Sequence, residues 1–275
     1  MFEKYLDFAK EIALKAGEIS IRYFNENNGA RYKSDRTVVT KADTEINDYL
    51  ISRVKEVFPD HAVDGEEGGF GNSRFVWVCD PVDGTAMYAR RIPVSVFSLA
   101  LVEDGEPVVG VIYDPFGGEM FTAVKGGGAF MNGEKIHVSD EELDGMKTVV
   151  DLDRWPGIEY DVSKIYDVIS EKTYTMHIGS ITHAAAYVAC GKFPLTLFPG
   201  TVHKNCDMAA AKVIVEEAGG KVTDFFGNEQ RYDKALRGAV VSNGKVHDEV
   251  LKIIDRKSTR LNSSHNVISR MPSSA

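Results

Sequence analysis

The residues Phe75-Val76-Trp77-Val78-Cys79 form a short, bulky apolar run that stops abruptly at Asp80. Such a run is the signature of a buried strand, and a buried strand needs layers packed around it. The segment that follows, Asp80-Pro81-Val82-Asp83-Gly84-Thr85, places two carboxylates three residues apart where the strand ends. Open α/β sheets present their ligands at strand ends of this kind. Pro81 lacks an N–H and is expected to stop sheet pairing at Asp80, and Gly84 allows a sharp backbone approach. The amides of Gly84 and Thr85, opening a short helix, are then candidates to face an anion.

The rest of the chain supplies the layers. Leu6, Ala9, Ile12, Ala13, Ala16 and Ile19 recur at helical spacing, as do Ile46, Tyr49, Leu50, Val54 and Val57 before Pro59. From Ala62 to Val138 the texture is strands and turns. The runs Val94–Val102 and Val108–Tyr113 flank Glu103-Asp104-Gly105-Glu106, a hairpin signal. Beyond residue 147 strands alternate with helices: strands at 148–151, 173–177, 193–198, 221–223 and 239–242, and helices at 161–171, 181–190, 208–218 and up to Asp255. Alternation of this type indicates a layered α/β architecture. The expected organisation is an N-terminal α+β half over 1–145, a C-terminal α/β half over 146–256, and a Ser-rich, aperiodic tail over 257–275 read as non-native.

Composition narrows the function. The 275 residues carry 41 acidic against 32 basic side chains, a net charge of −9, which disfavours nucleic acid or an anionic membrane as partner. The absence of an 18-residue apolar stretch and of a signal-like start leads to the expectation of a cytoplasmic protein. Cys79, Cys190 and Cys206 are too few and too scattered for a disulfide framework or a zinc ribbon. Gly126-Gly127-Gly128 fits neither GxxxxGK[ST] nor GxGxxG, so it reads as a turn. Ser180 lacks the GxSxG context of a nucleophilic serine, and His177 and His183 lack paired ligand spacing.

The acidic residues Asp43, Glu66, Asp80, Asp83 and Asp207 stand at element ends, and oxygen donors from carboxylates suit Mg²⁺. An EF-hand does not fit, because the third position from Asp80 is Val82, which has no side-chain oxygen. With Gly65-Glu66-Glu67, Asp80-Pro81-Val82-Asp83-Gly84-Thr85, Asp207-Met208-Ala209-Ala210-Ala211 and Glu217-Ala218-Gly219-Gly220 in order, the chain resembles the inositol monophosphatase superfamily of Mg²⁺-dependent, lithium-sensitive phosphatases.

The resemblance implies a five-layer αβαβα sandwich and a phosphomonoester hydrolase using two or three Mg²⁺, often as a homodimer. It implies that Glu66, Asp80, the Val82 carbonyl, Asp83 and Asp207 hold metal and that Asp43 supports Thr85. It also implies that Gly179-Ser180 meets the substrate. In this reading Glu66 and Thr85 orient a water for in-line attack, the Gly84 and Thr85 amides meet the phosphoryl group, and Asp83 or a water protonates the leaving oxygen.

Two departures bear on the substrate. Cys206 stands where the family has Trp, and Phe198–Asn205 has no carboxylate where inositol-specific members have a Glu; His203 and Lys204 stand there instead. Lys204 is the candidate for a second anionic group on the substrate. The expected substrate is thus a small phosphorylated metabolite, inositol-1-phosphate-like or a sugar phosphate. Histidinol phosphate, fructose-1,6-bisphosphate and a 3′-phosphonucleotide are the alternatives, with a non-catalytic phospholigand-binding homologue as the different-class rival.

Overall fold

A computed structural model describes residues 2–34, 37–154, 161–200 and 205–255. The elements run α1 (Glu3–Asn25), β1 (Arg31–Tyr32), β2 (Val38–Val39), α2 (Lys41–Val57), β3 (Ala62–Gly65), β4 (Gly68–Phe70), β5 (Phe75–Asp83), α3 (Thr85–Tyr88), β6 (Val96–Glu103), β7 (Glu106–Asp114), β8 (Glu119–Val124), β9 (Gly128–Met131) and β10 (Glu134–Lys135). They continue with β11 (Gly145–Leu152), α4 (Ser163–Ser170), β12 (Thr173–Met176), α5 (Ile181–Ala189), β13 (Leu195–Phe198), α6 (Asn205–Glu217), β14 (Lys221–Thr223) and β15 (Ala239–Ser242). A last helix, α7, covers 247–255. The tail beyond it, and His203 and Lys204, lie outside the described residues.

Two sheets organise the molecule. The larger has eight strands in the order β10-β9-β8-β7-β6-β5-β3-β4 and is antiparallel except where β3 runs parallel to β5. The smaller has the order β12-β11-β13-β15-β14, with β11 parallel to both its neighbours. Strand alternation sorts the side chains into layers. Trp77, Cys79, Leu99, Leu101, Val109 and Val111 face one side of the large sheet and pack on Phe8, Ile12, Ala16, Ile46 and Leu50 of α1 and α2. Val78, Ala100, Val102, Ile112 and Phe121 face the other side, against α5 and α6. Val222, Ala239 and Val241 of the small sheet close over those same helices. Val150, Leu195, Leu197 and Val240 point to the far side, where Ile165 and Ile169 of α4 and Val250 and Ile254 of α7 cover them. The result is five layers, αβαβα. Because α6 is clasped between two sheets, every residue from Asn205 to Val215 is buried, including the acidic Asp207.

One expectation needs correction. Strand β5 does not stop at Asp80 but runs on to Asp83. Asp80 pairs with Ser98 and Asp83 with Val96, so three steps on β5 oppose two on β6. The extra residue is a bulge. Pro81 sits inside it, where a missing N–H costs no ladder bond. The hairpin joining β6 to β7 turns through Asp104 (φ 52°) and Gly105 (φ 89°), left-handed at both positions as a tight two-residue turn demands. The glycines Gly126 and Gly128 donate amide hydrogen bonds of 2.6 and 2.7 Å to the Glu217 carboxylate, so the triple-glycine turn is held by the end of α6.

Candidate metal centre and active site

The bulge in β5 aims the first carboxylates. Asp80 is 1% exposed, and its Oδ1 accepts a 2.9 Å bond from the Val82 amide, which fixes the side chain across the bulge. Asp83 is also buried; its Oδ2 accepts from the Ser180 hydroxyl and, at 2.9 Å, from the Thr182 amide. Two donors on one oxygen favour the ionised carboxylate. Asp207, in the first turn of α6, arrives from the helical layer packed on this sheet. Ligand atoms of Asp80, Cys206 and Asp207 lie within 4.8 Å of one another. The Cys206 thiol donates to Asp207 Oδ1 at 3.3 Å, and the Thr182 hydroxyl to the Asp207 carbonyl at 2.7 Å. Helix α5 therefore touches both Asp83 and Asp207 and sets their separation.

Asp43 is set behind these groups. It is the third residue of α2 and closes a capping box with Thr40, whose amide donates to it at 2.9 Å. Complete burial pushes its carboxyl up to about 7, against the opposing pull of the Thr40 bonds; the Glu66 and Glu67 charges add to the rise. The Thr85 hydroxyl stands 2.8 Å from the Val82 carbonyl and 3.3 Å from Asp43 Oδ1, acceptors both. Its hydrogen is therefore committed away from solvent, and its oxygen lone pairs are left outward. Glu66 follows the end of β3, where its amide bonds the Cys79 carbonyl at 3.0 Å next to Asp80. Lys33, from the loop after β1, lies 3.6 Å from Glu66 and bonds Glu67. The Lys33 loop reads only as a polar connection in the sequence, and no local signal marks its reach to Glu66.

Gly84 and Gly179 meet here. Gly84 holds φ 88°, and a β-carbon on it would sit 3.0 Å from the Gly179 carbonyl and 3.2 Å from Ser180 Cβ. Ser180 caps α5, accepting the His183 amide at 3.2 Å while its hydroxyl faces Asp83. At 2% exposure that hydroxyl is placed to hold Asp83, which differs from the substrate contact expected of it. Asp151 anchors the same loop: it accepts from the Ile178 amide at 2.9 Å and the Thr196 hydroxyl at 3.2 Å, and burial raises its pKa. His177 pairs with Asp153 at 3.1 Å instead of turning toward Asp83.

Asp43, Asp80, Asp83 and Asp207 are all buried, and like charges withdrawn from water require protons or cations among them. The donors are hard oxygens, and the one sulfur present is a thiol acting as donor, so the set fits Mg²⁺ rather than a thiolate-seeking metal.

Comparison with known proteins identifies the family. The profile of the inositol monophosphatase family matches residues 1–259. The chain belongs to the inositol monophosphatase family. It is a phosphatase of that family, and a metal-binding one. A Thermotoga maritima protein described as fructose-1,6-bisphosphatase/inositol-1-monophosphatase is 33% identical over 257 residues, 91% of this chain and 95% of its own. A Xylella fastidiosa protein described as Nus factor SuhB is 35% identical over 221 residues, 78% and 80% of the two chains. Among solved structures, a Thermotoga maritima IMPase superposes with a TM-score of 0.83 at 30% identity, covering 94% of this chain and 99% of that one. The family fold is therefore the layered α/β sandwich described above. Among the described residues no helix is long and apolar enough to cross a membrane.

Proposed function

We propose that this chain is a Mg²⁺-dependent phosphomonoesterase of a small phosphorylated metabolite, of the inositol-phosphate or sugar-phosphate class. The observation that carries the reading is the convergence of Asp80, on the large sheet, and Asp207, on the helix packed against that sheet, to within 4.8 Å between ligand atoms. Glu66, Asp80, the Val82 carbonyl, Asp83 and Asp207 are assigned as the metal-holding oxygens. Bound Mg²⁺ supplies Lewis acidity at the phosphoryl group and lowers the pKa of water.

The remaining work falls to the chain. Thr85, with its proton directed at Val82 and Asp43, presents lone pairs that orient an attacking water, and Glu66 takes up that water's proton. The Gly84 and Thr85 amides meet the phosphoryl oxygens. Asp83 is held as a carboxylate by Ser180 and Thr182, so we assign it as a ligand and assign the leaving-group proton to water. The Gly179 loop borders the leaving alcohol, and Lys204 meets a second anionic group on it. We place the protein in the cytoplasm, as a homodimer.

The test is phosphate release from inositol-1-phosphate, fructose-1,6-bisphosphate, histidinol phosphate and a 3′-phosphonucleotide, with and without Mg²⁺, and with Li⁺ added. Turnover that requires Mg²⁺ and favours one of the first two supports the proposal. Binding without release from any of the four replaces it with a phospholigand-binding role.

A further inference from the structure

A second set of ligand-type side chains stands apart from the carboxylates above, at the far end of the β7–β8 hairpin. Asp114 closes β7 and Glu119 opens β8, and the two are paired directly across the turn. His183, on the first turn of α5, projects its ring onto the same spot. One ligand atom from each of the three lies within 4.8 Å of the other two.

The histidine carries the argument. Its Nδ1 is 3.0 Å from the Val94 carbonyl, which can only accept, so Nδ1 bears the proton. A neutral ring with its proton on Nδ1 leaves a lone pair on Nε2. That Nε2 is buried and without a hydrogen-bond partner, on a side chain 4% exposed. Its nearest charged neighbour is Asp114 Oδ2 at 3.9 Å, so a lone pair faces a carboxylate. Such a pair of acceptors is stable with a cation between them. Two ligands at about 2.0–2.2 Å from one tetrahedral ion stand about 3.3–3.6 Å apart, so the 3.9 Å pair needs to close by only a few tenths of an ångström on binding. A backbone carbonyl orienting the far ring nitrogen is the arrangement that ligating histidines commonly show.

The carboxylates are equally prepared. Asp114 Oδ1 is occupied by the Phe116 amide at 2.8 Å, which turns Oδ2 toward the imidazole. Glu119 bonds Lys192 at 3.0 and 3.3 Å. Lys192 is about half exposed, so it can swing out and open a route from solvent.

We propose that Asp114, Glu119 and His183 form a second cation site, taking a borderline divalent ion of the zinc class. One imidazole and two carboxylates suit Zn²⁺ or Co²⁺ better than Mg²⁺, whose hard preference the Asp80–Asp207 centre already meets. Because the His183 amide also bonds Ser180, an ion here braces the turn that holds Asp83. The proposal does not depend on the phosphatase reading.

The experiment titrates Co²⁺, followed by its visible d–d absorption and by calorimetry, into full-length protein saturated with Mg²⁺. The same titration in Asp80→Asn removes the contribution of the Mg²⁺ centre. One Co²⁺ equivalent is expected in both, displaced by Zn²⁺ and accompanied by a rise in Tm. His183→Leu and Asp114→Asn should each weaken it at least tenfold. Glu119→Gln, at a partly exposed position where folding is not at risk, should weaken it as well. Affinity unchanged in His183→Leu and Glu119→Gln, or no equivalent beyond those lost in Asp80→Asn, overturns the proposal.

Discussion

The two sheets that flank α5 and α6 are built on different principles. The eight-stranded sheet is held chiefly by apolar faces, Trp77, Leu99, Leu101 and Val111 on one side and Val78, Val102 and Ile112 on the other. Its buried acids stand at strand ends, Asp80 and Asp83 at the bulged end of β5 and Asp114 at the end of β7. The five-stranded sheet instead carries buried polar ties along its length: Thr196 with Asp151, Thr223 and Ser242 with His247. The apolar packing of the first carries no carboxylate or imidazole among its contacts. The second shapes the loop at Gly179 through groups that titrate. The site lies between them, and this makes the difference measurable.

The largest effect should be shared by both sides. Asp80→Asn on the apolar sheet and Asp207→Asn on α6 should each lower Mg²⁺-dependent kcat by about 10³-fold, since losing a charged ligand removes several kcal/mol of transition-state stabilisation. Tm should hold or rise in both, because each substitution removes a buried negative charge. Full activity in either variant breaks the assignment of that side to the centre.

The frame is probed next. Leu101 is fully buried between β5, β7 and the helices α1 and α2, so Leu101→Ala should cost about 2–5 kcal/mol in denaturant unfolding. The cost should be constant across pH 5–8. A cost that varies with pH would show that the apolar sheet is not the inert partner described here.

His247 gives the contrasting case. It is fully buried between the Ser242 hydroxyl at 2.8 Å and the Thr223 hydroxyl at 3.0 Å, and burial lowers its pKa from 6.5 to about 4, with Lys221 adding to the shift. In the unfolded chain the ring takes a proton below about 6.5, and in the folded chain only below about 4. Stability is therefore full above pH 6.5 and falls as pH drops toward 4, by on the order of 3 kcal/mol. Unfolding free energies of wild type and His247→Gln, compared at pH 7 and pH 4.5, isolate this contribution. Parallel losses in the two proteins would remove His247 as its source.

The same contrast explains what could be read from residues alone. Asp80, Asp83, Gly84 and Thr85 lie within six consecutive residues, so their chemistry is visible in one segment. The strand-helix alternation after residue 147 and the Asp104-Gly105 turn were equally local. The placement of Asp207 beside Asp80 follows from the family resemblance and not from spacing, because the packing of α6 on the large sheet joins residues far apart in the chain. Pro81 misled for a physical reason: a bulge accommodates a missing N–H that a regular ladder cannot. Lys33 at Glu66, and His183 at Asp114, depend on contacts between distant elements and leave no pattern in the chain. The glycines at 126–128 read correctly as a turn, but their partner Glu217 was seen only as part of a motif.

The smallest effect tests how the polar sheet reaches the site. Thr196 on β13 donates to Asp151 Oδ1, while Asp151 Oδ2 holds the Ile178 amide one residue before Gly179. Thr196→Val keeps the shape and removes one donor, leaving Asp151 with its backbone bond. Stability should fall by about 1–3 kcal/mol, the cost of a buried acceptor losing a partner. The loss should shrink at low pH, because burial already raises the Asp151 pKa and its neutral form needs that donor less. If Asp151 positions the Gly179 loop for the leaving alcohol, KM should rise while kcat stays near wild type, since the metal-holding carboxylates are untouched. A fall in kcat with KM unchanged would mean that the tie acts through Asp83 instead, and the polar sheet would then be shaping the metal centre itself.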